Sequence, residues 1–169
     1  MNDNIGMNYC APDANVWAVN LDGRYMSAVQ NYLVADGIPT DGVTKIVSNA
    51  AQTLSYCPDP EGIGKCQKTG IVIGKVQSGK TSNFISITAL AFDNDYDIVI
   101  VLGGTKKPLV KQNRDRIKEY FATTKDVLVL DTTDFKDQLT AQKMHQFRKM
   151  NKKVVIVALK SPTQINYIA

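Results

Sequence analysis

Residues 74–81 read GKVQSGKT, with Gly74, Gly79, Lys80 and Thr81 in the fixed positions of G-x-x-x-x-G-K-[ST]. A chain of this composition matches that pattern by chance about once in a hundred sequences of this length. The chemistry it suggests is anion binding. Successive backbone N–H groups of such a loop point inward, and the helix that follows turns its positive dipole end toward the same point. Lys80 is the candidate catalytic cation, placed between the β- and γ-phosphates of ATP, and the Thr81 hydroxyl is the candidate ligand of Mg2+. Gln77, Ser78 and Ser82 complete the candidate nucleotide contacts, Gln77 and Ser78 mainly through their backbone. The alternative is a glycine-containing strand-to-helix turn with a solvated lysine.

Hydrolysis also needs an acid to organise magnesium and water, usually at the end of a buried strand. The one apolar run ending in a carboxylate is VLVLD, 127–131, and Asp131 is followed by Thr132 and Thr133 rather than by a second acid. A turn or helix cap introducing Asp134-Phe135 is the simpler reading of Asp131. A further constellation follows DIVIVL at 97–102, where Gly103-Gly104-Thr105 leads into KKPLVKQNRDRIKEYF. Thr105 suits a helix cap. The helix carries Lys106, Lys107, Lys111, Arg114, Arg116 and Lys118 against Asp115 and Glu119, which fits either a phosphate-gripping surface or a charged solvated face.

The elements that must position these residues change character at residue 70. Before it, Tyr25, Ala28, Val29, Tyr32 and Leu33, then Val43, Ile46, Val47, Ala50, Ala51 and Leu54, recur at three and four and predict two amphipathic helices. Gly37-Ile38-Pro39 separates them, Thr40 can cap the second, and two prolines and a glycine in CPDPEG at 57–62 end it. The first twenty residues have no period and read as an irregular or partly disordered arm. From residue 70, apolar runs at 70–74, 97–103, 127–131 and 153–159 alternate with helix-length segments. Near-continuous Val, Ile and Leu in such runs predicts a parallel sheet of about four strands covered by helices on both faces. The expected fold is therefore α/β: a P-loop domain over 70–169 preceded by a helical extension over 1–69.

The 169 residues carry 20 Lys and Arg against 16 Asp and Glu. The charge divides unevenly, with 4 basic and 7 acidic side chains in residues 1–69 and 16 and 9 in residues 70–169. The second part can meet phosphate backbones, although a basic face also serves solubility. No run approaches the roughly 20 apolar residues of a bilayer crossing, and MNDNIGMNYC lacks the layout of a secretory signal. A cytoplasmic, membrane-independent protein is expected. Cys10, Cys57 and Cys66 with the lone His145 do not supply the four ligands of a closed zinc site and read as reduced thiols.

GIVIGKVQSGKTSNF, DIVIVLGGTKKPLVKQNRDRI, TTDF at 132–135 and VVIVALKSP at 154–162 together resemble the ATPase region of restriction-associated, helicase-like proteins that carry a Z-one domain. These proteins are described as endonucleases and lie near superfamily-two helicases. The resemblance spans about residues 60–165, with VQSGKT its most specific piece. It implies a RecA-like ATPase core that moves on DNA in restriction or phage defence. By position it makes Gly74, Gly79, Lys80 and Thr81 the ATP loop and places Thr105, Gln112 and Arg116 where related helicases touch the DNA backbone. Relatives continue past the VVIVALK strand to an acidic magnesium-binding pair and a second lobe. The expectation is an ATP-binding first lobe with little turnover of its own, and with an open sheet edge that permits self-association.

Two other classes fit the residues. One is a complete small P-loop kinase or NTPase with Asp131 on magnesium. Against a GTPase, Asn151-Lys152-Lys153-Val154 has Val where the guanine-reading N-K-x-D needs Asp. Against a kinase, none of Arg24, Arg114, Arg116 and Arg148 lies in an evident lid. The other class is a non-catalytic nucleotide-binding interaction module.

Overall fold

A computed structural model describes residues 16–62, 67–72, 79–131 and 141–168. The elements are α1 (Arg24–Ala35), α2 (Thr40–Ser55), α3 (Lys80–Asp93), β1 (Ile98–Leu102), α4 (Lys107–Tyr120), β2 (Val127–Asp131), α5 (Ala141–Lys149), β3 (Lys153–Ala158) and α6 (Pro162–Ile168). They divide into two units, the first ending at Asp95 and the second beginning at Tyr96. The division follows packing and falls later in the chain than the change of pattern at residue 70. The reason is α3, which packs on α1 and α2.

In the first unit the helical spacing becomes a core. Tyr25, Met26, Val29 and Leu33 of α1 and Val43, Val47, Ala50 and Leu54 of α2 are buried, while α3 is buried nearly all round from Ile85 to Phe92. Tyr25 and Phe92 meet edge to face at 5.5 Å. The N-terminus of α1 has no capping side chain of its own. It borrows one from the end of α3, where Asp93 Oδ1 and Oδ2 accept from the backbone N–H groups of Tyr25 (3.1 Å) and Met26 (2.7 Å). A carboxylate at a helix C-terminus is unfavourable, and here the positive end of α1 offsets it. The approach requires Gly23, because a Cβ there would lie 1.9 Å from Asp93 Cγ. Asn94 and Asn20 exchange two further hydrogen bonds, and Trp17 Nε1 donates to the Cys57 carbonyl at 3.0 Å. Residues 16–20 thus have no regular structure but are pinned. Gly23→Ala should expel Asp93 and cost about 2 kcal/mol. Urea unfolding followed at Trp17, the chain's one tryptophan, measures it, and an unchanged midpoint would refute the cap.

Cys57 is a free, half-buried thiol. Burial raises its pKa, partly opposed by Lys68. The folded state therefore favours the protonated thiol, so stability from this group is full below the unfolded pKa and is lost as pH rises through the higher folded value. Iodoacetamide should label Cys57 more slowly in the native chain than in urea at pH 8. Equal rates would sink that expectation. Cys10 and Cys66 lie outside the described residues.

The second unit is a three-stranded, wholly parallel sheet in the order β1-β3-β2. β3, with Val154 to Ala158 all buried, is central. Alternate residues face opposite ways. Leu130, Val154 and Ile156 pack with Leu128 and with Met144 and Phe147 of α5 on one face. Asp131 points to the other face, where α4 packs with Val110, Ile117 and Tyr120 buried. The α/β class with helices on both faces of a parallel sheet matches the expectation.

Three details correct it. Of the apolar run 70–74, the described residues 70–72 lie outside any strand, and Ile71 and Val72 are 81% and 43% exposed. The sheet of the second unit has three described strands, against about four expected; Ile73 and Gly74 lie outside the described residues. Thr40 is the first helical residue, not the cap of α2; Pro39 stands at the cap position with φ −58° and starts the helix one residue early. Thr105 does not cap α4 either. Pro108 is favoured in a first turn, and it puts the start at Lys107 with Lys106 as N-cap.

Candidate functional site

Gly74, Gln77 and Ser78 lie outside the described residues. Gly79, Lys80, Thr81 and Ser82 are described, and they form the entry of α3. Gly79 is its N-cap in left-handed backbone, φ 72° and ψ 21°, and its carbonyl accepts from Asn83 N at 3.0 Å to close the first turn. A Cβ on Gly79 would meet nothing within 4 Å, so glycine serves the dihedral angle rather than the space. Lys80 is exposed as the first helical residue; Thr81 and Ser82 follow, half-buried. The helix is 14 residues long, so its first N–H groups carry a full dipole end. One turn on, the buried side-chain oxygens Asn83 Oδ1 and Ser86 Oγ have no hydrogen-bond partner.

In the second unit, Gly103 and Gly104 follow β1 at the carboxyl end of the sheet, where open α/β sheets bind ligands. Gly103 N donates to the Ala158 carbonyl at 2.8 Å, and Lys160 N donates to the Gly104 carbonyl at 2.8 Å, so this loop is tied to the end of β3. Asn113 Nδ2 of α4 donates to the Gly103 carbonyl at 3.3 Å. A Cβ at Gly103 would crowd Asn113 Nδ2 at 3.0 Å, while Gly104 holds φ 111°.

Of the candidate nucleic-acid contacts, Gln112 and Arg116 stand one turn apart on the exposed face of α4. They share a shallow depression with Pro108, Lys111, Asp115 and Glu119. Thr105 is exposed before the helix and does not line it. The depression balances Lys111 and Arg116 against Asp115 and Glu119, so its local charge is close to neutral. The helix entrance, with Lys106 and Lys107, is the more basic surface.

Comparison with family models, curated proteins and solved structures gave no match.

Asp131 is 6% exposed. Its Oδ2 accepts from Arg114 Nη1, while Arg114 Nε and Nη2 donate to Asp115 Oδ1 at 3.1 and 3.0 Å. The guanidinium thus spans an exposed and a buried carboxylate. Its pKa is raised, first by the hydrogen bond it donates to Asp115 and also by Asp131, against the opposing effect of burial. The carboxylate considered for magnesium is therefore held in an ion pair between β2 and α4; Thr132 to Phe135, which the expected turn or cap would introduce, lie outside the described residues. Among the described residues no group of three or more His, Cys, Asp or Glu is arranged to hold a metal ion. No helix there is long and apolar enough to cross a membrane.

Proposed function

We propose that the chain is the nucleotide-binding part of a RecA-like P-loop NTPase, a cytoplasmic first lobe of a DNA-acting ATPase of the restriction-associated, Z-one-domain type. One observation carries the reading: GKVQSGKT runs into a long helix whose N-cap is a left-handed glycine, with Lys80 and Thr81 as its first two residues. That entrance suits a polyphosphate, because the first N–H groups of a helix, its positive dipole end and a lysine belong to one short segment. Lys80 would lie against the β- and γ-phosphates, and the Thr81 hydroxyl would hold Mg2+ beside them. The parallel sheet with its glycine-bearing carboxyl end is the accompanying architecture. The proposed DNA contacts are Thr105, Gln112 and Arg116, with Lys106 and Lys107 supplying charge.

The acid needed for turnover is not supplied by Asp131, whose carboxylate is bound to Arg114. ATP binding with slow hydrolysis is the corresponding expectation, and the ion pair counts against the kinase reading that places Asp131 on magnesium. Calorimetric titration of Mg-ATP, repeated with single- and double-stranded DNA at low and high salt, tests the proposal. Saturable ATP binding and salt-sensitive DNA binding are expected. ATP binding without DNA affinity would favour the interaction module, and no ATP binding would end both readings.

A further inference from the structure

The opposite end of the sheet, where the parallel strands begin, carries a second feature. A groove of about 260 Å³ opens between α5 and the starts of β1 and β3. Its floor is apolar, made by Ile98, Met144, Phe147 and Val154, and its rim carries His145, Arg148 and Lys152. Ile98 begins a row of apolar residues on β1, Ile98, Ile100 and Leu102, that are 42%, 46% and 44% exposed.

The rim is electrostatically one-sided. From Gln138 to Ala169 the sequence has six Lys and Arg and no Asp or Glu. The one acid lining the groove, Asp97, is shared by Arg148 Nε (3.1 Å) and Lys153 Nζ (3.1 Å). Of the groove's own lining, Arg148 and Lys152 stand against that one carboxylate, and Asp97 is further neutralised by Lys153 from outside the lining. Both lining cations are held in place: Arg148 by Asp97, through Nε and not through its terminal fork, and Lys152 by a 3.2 Å hydrogen bond to the Lys125 carbonyl. The Arg148 side chain is nevertheless 76% exposed. A guanidinium oriented in this way is suited to a carboxylate.

The geometry points to docking of an acidic protein segment, with an apolar side chain in the groove and flanking carboxylates on Arg148 and Lys152. The volume is below the roughly 300–1,000 Å³ of small-molecule sites. Nucleic acid fits less well. Stacking bases need an aromatic platform; of the groove's two aromatic rings, Phe147 packs into the cluster of Leu130, Val154 and Ile156, which leaves the small imidazole of His145. This surface is independent of the nucleotide reading, since none of its residues belongs to the phosphate loop or to α4.

The test is fluorescence anisotropy on the whole chain. The probe is a fluorescein-labelled octapeptide with a central Leu-Phe flanked by Asp and Glu, compared with its Asn/Gln counterpart and with a labelled single-stranded DNA. The acidic peptide should bind at least about tenfold more tightly than the neutral one, and Arg148→Gln with Lys152→Gln should remove about tenfold of that affinity. Circular dichroism establishes that the variant is folded, and Ile98→Ala supplies a second, charge-neutral variant that should weaken the same peptide. Equal binding of the two peptides, or wild-type affinity in these variants, would overturn the proposal. DNA binding tighter than peptide binding and lost in the double variant would also overturn it, assigning the patch to a nucleic acid.

Discussion

Lys80→Ala should weaken Mg-ATP binding by about one to two orders of magnitude, and should leave the thermal unfolding midpoint where it was. The two halves of this expectation have separate causes. An ammonium bonded to phosphate oxygens contributes about 2–3 kcal/mol, which is a 30- to 150-fold change in affinity. The lysine is exposed at the first position of α3, so its loss removes no core contact. Lys80→Arg is the sharper control. It keeps the charge but replaces a compact ammonium with a planar fork, and at a phosphate loop shaped by backbone approach that exchange should recover little of the affinity. Unchanged ATP binding in Lys80→Ala would mean that the motif is a strand-to-helix turn with a solvated lysine. A fall in the unfolding midpoint equal to the fall in affinity would mean that the mutation acts through folding.

Much of this architecture was legible because burial on two faces leaves little freedom in sequence. VLVLD predicted a strand at 127–131 and β2 is Val127–Asp131. The apolar runs 97–103 and 153–159 contain β1 and β3, and the spacings of Tyr25, Val29 and Leu33 and of Val43, Val47 and Leu54 became the buried sides of α1 and α2. What was not legible depends on a distant partner. Gly70-Ile71-Val72 has the composition of a strand, but composition cannot provide the neighbour on which a ladder depends. Thr40 and Thr105 are good capping residues displaced by Pro39 and Pro108, whose fixed φ sets where a helix begins. Asp93, at the wrong end of its own helix by dipole reasoning, makes sense only beside Gly23, some seventy positions away in the chain. At the entry of α3 the motif's Gly79 became the N-cap and Lys80 and Thr81 the first two helical residues, because a glycine-led helix start is a local signal. Gln112 and Arg116 share a face for the same reason: positions four apart on a helix are neighbours.

The Arg114–Asp131 pair had no sequence signal, being seventeen positions apart, and it gives the prediction that separates a structural carboxylate from a metal-binding one. Asp131→Ala should destabilise the chain by about 2–3 kcal/mol. Removing one partner of a buried ion pair leaves the other desolvated, ordinarily at a cost of about 3–5 kcal/mol. Arg114 recovers part of that, since its side chain is 23% exposed and it retains Asp115. Asp131→Asn, which keeps an acceptor oxygen for Nη1, should cost less than Asp131→Ala. Arg114→Leu alone should also destabilise, because it leaves the 8%-exposed Asp131 side chain without the guanidinium. The double variant should be more stable than the sum of the two single losses predicts, since neither charge is then stranded, with a coupling of about 1–2 kcal/mol. Urea unfolding by far-UV circular dichroism measures all four corners of the cycle. If Asp131 instead organised magnesium, Asp131→Asn would abolish Mg-dependent nucleotide affinity while stability and coupling stayed near zero change. A carboxylate already committed to a guanidinium at the end of β2 leads to the opposite expectation: stability falls, and the affinity for Mg-ATP is the same before and after the substitution.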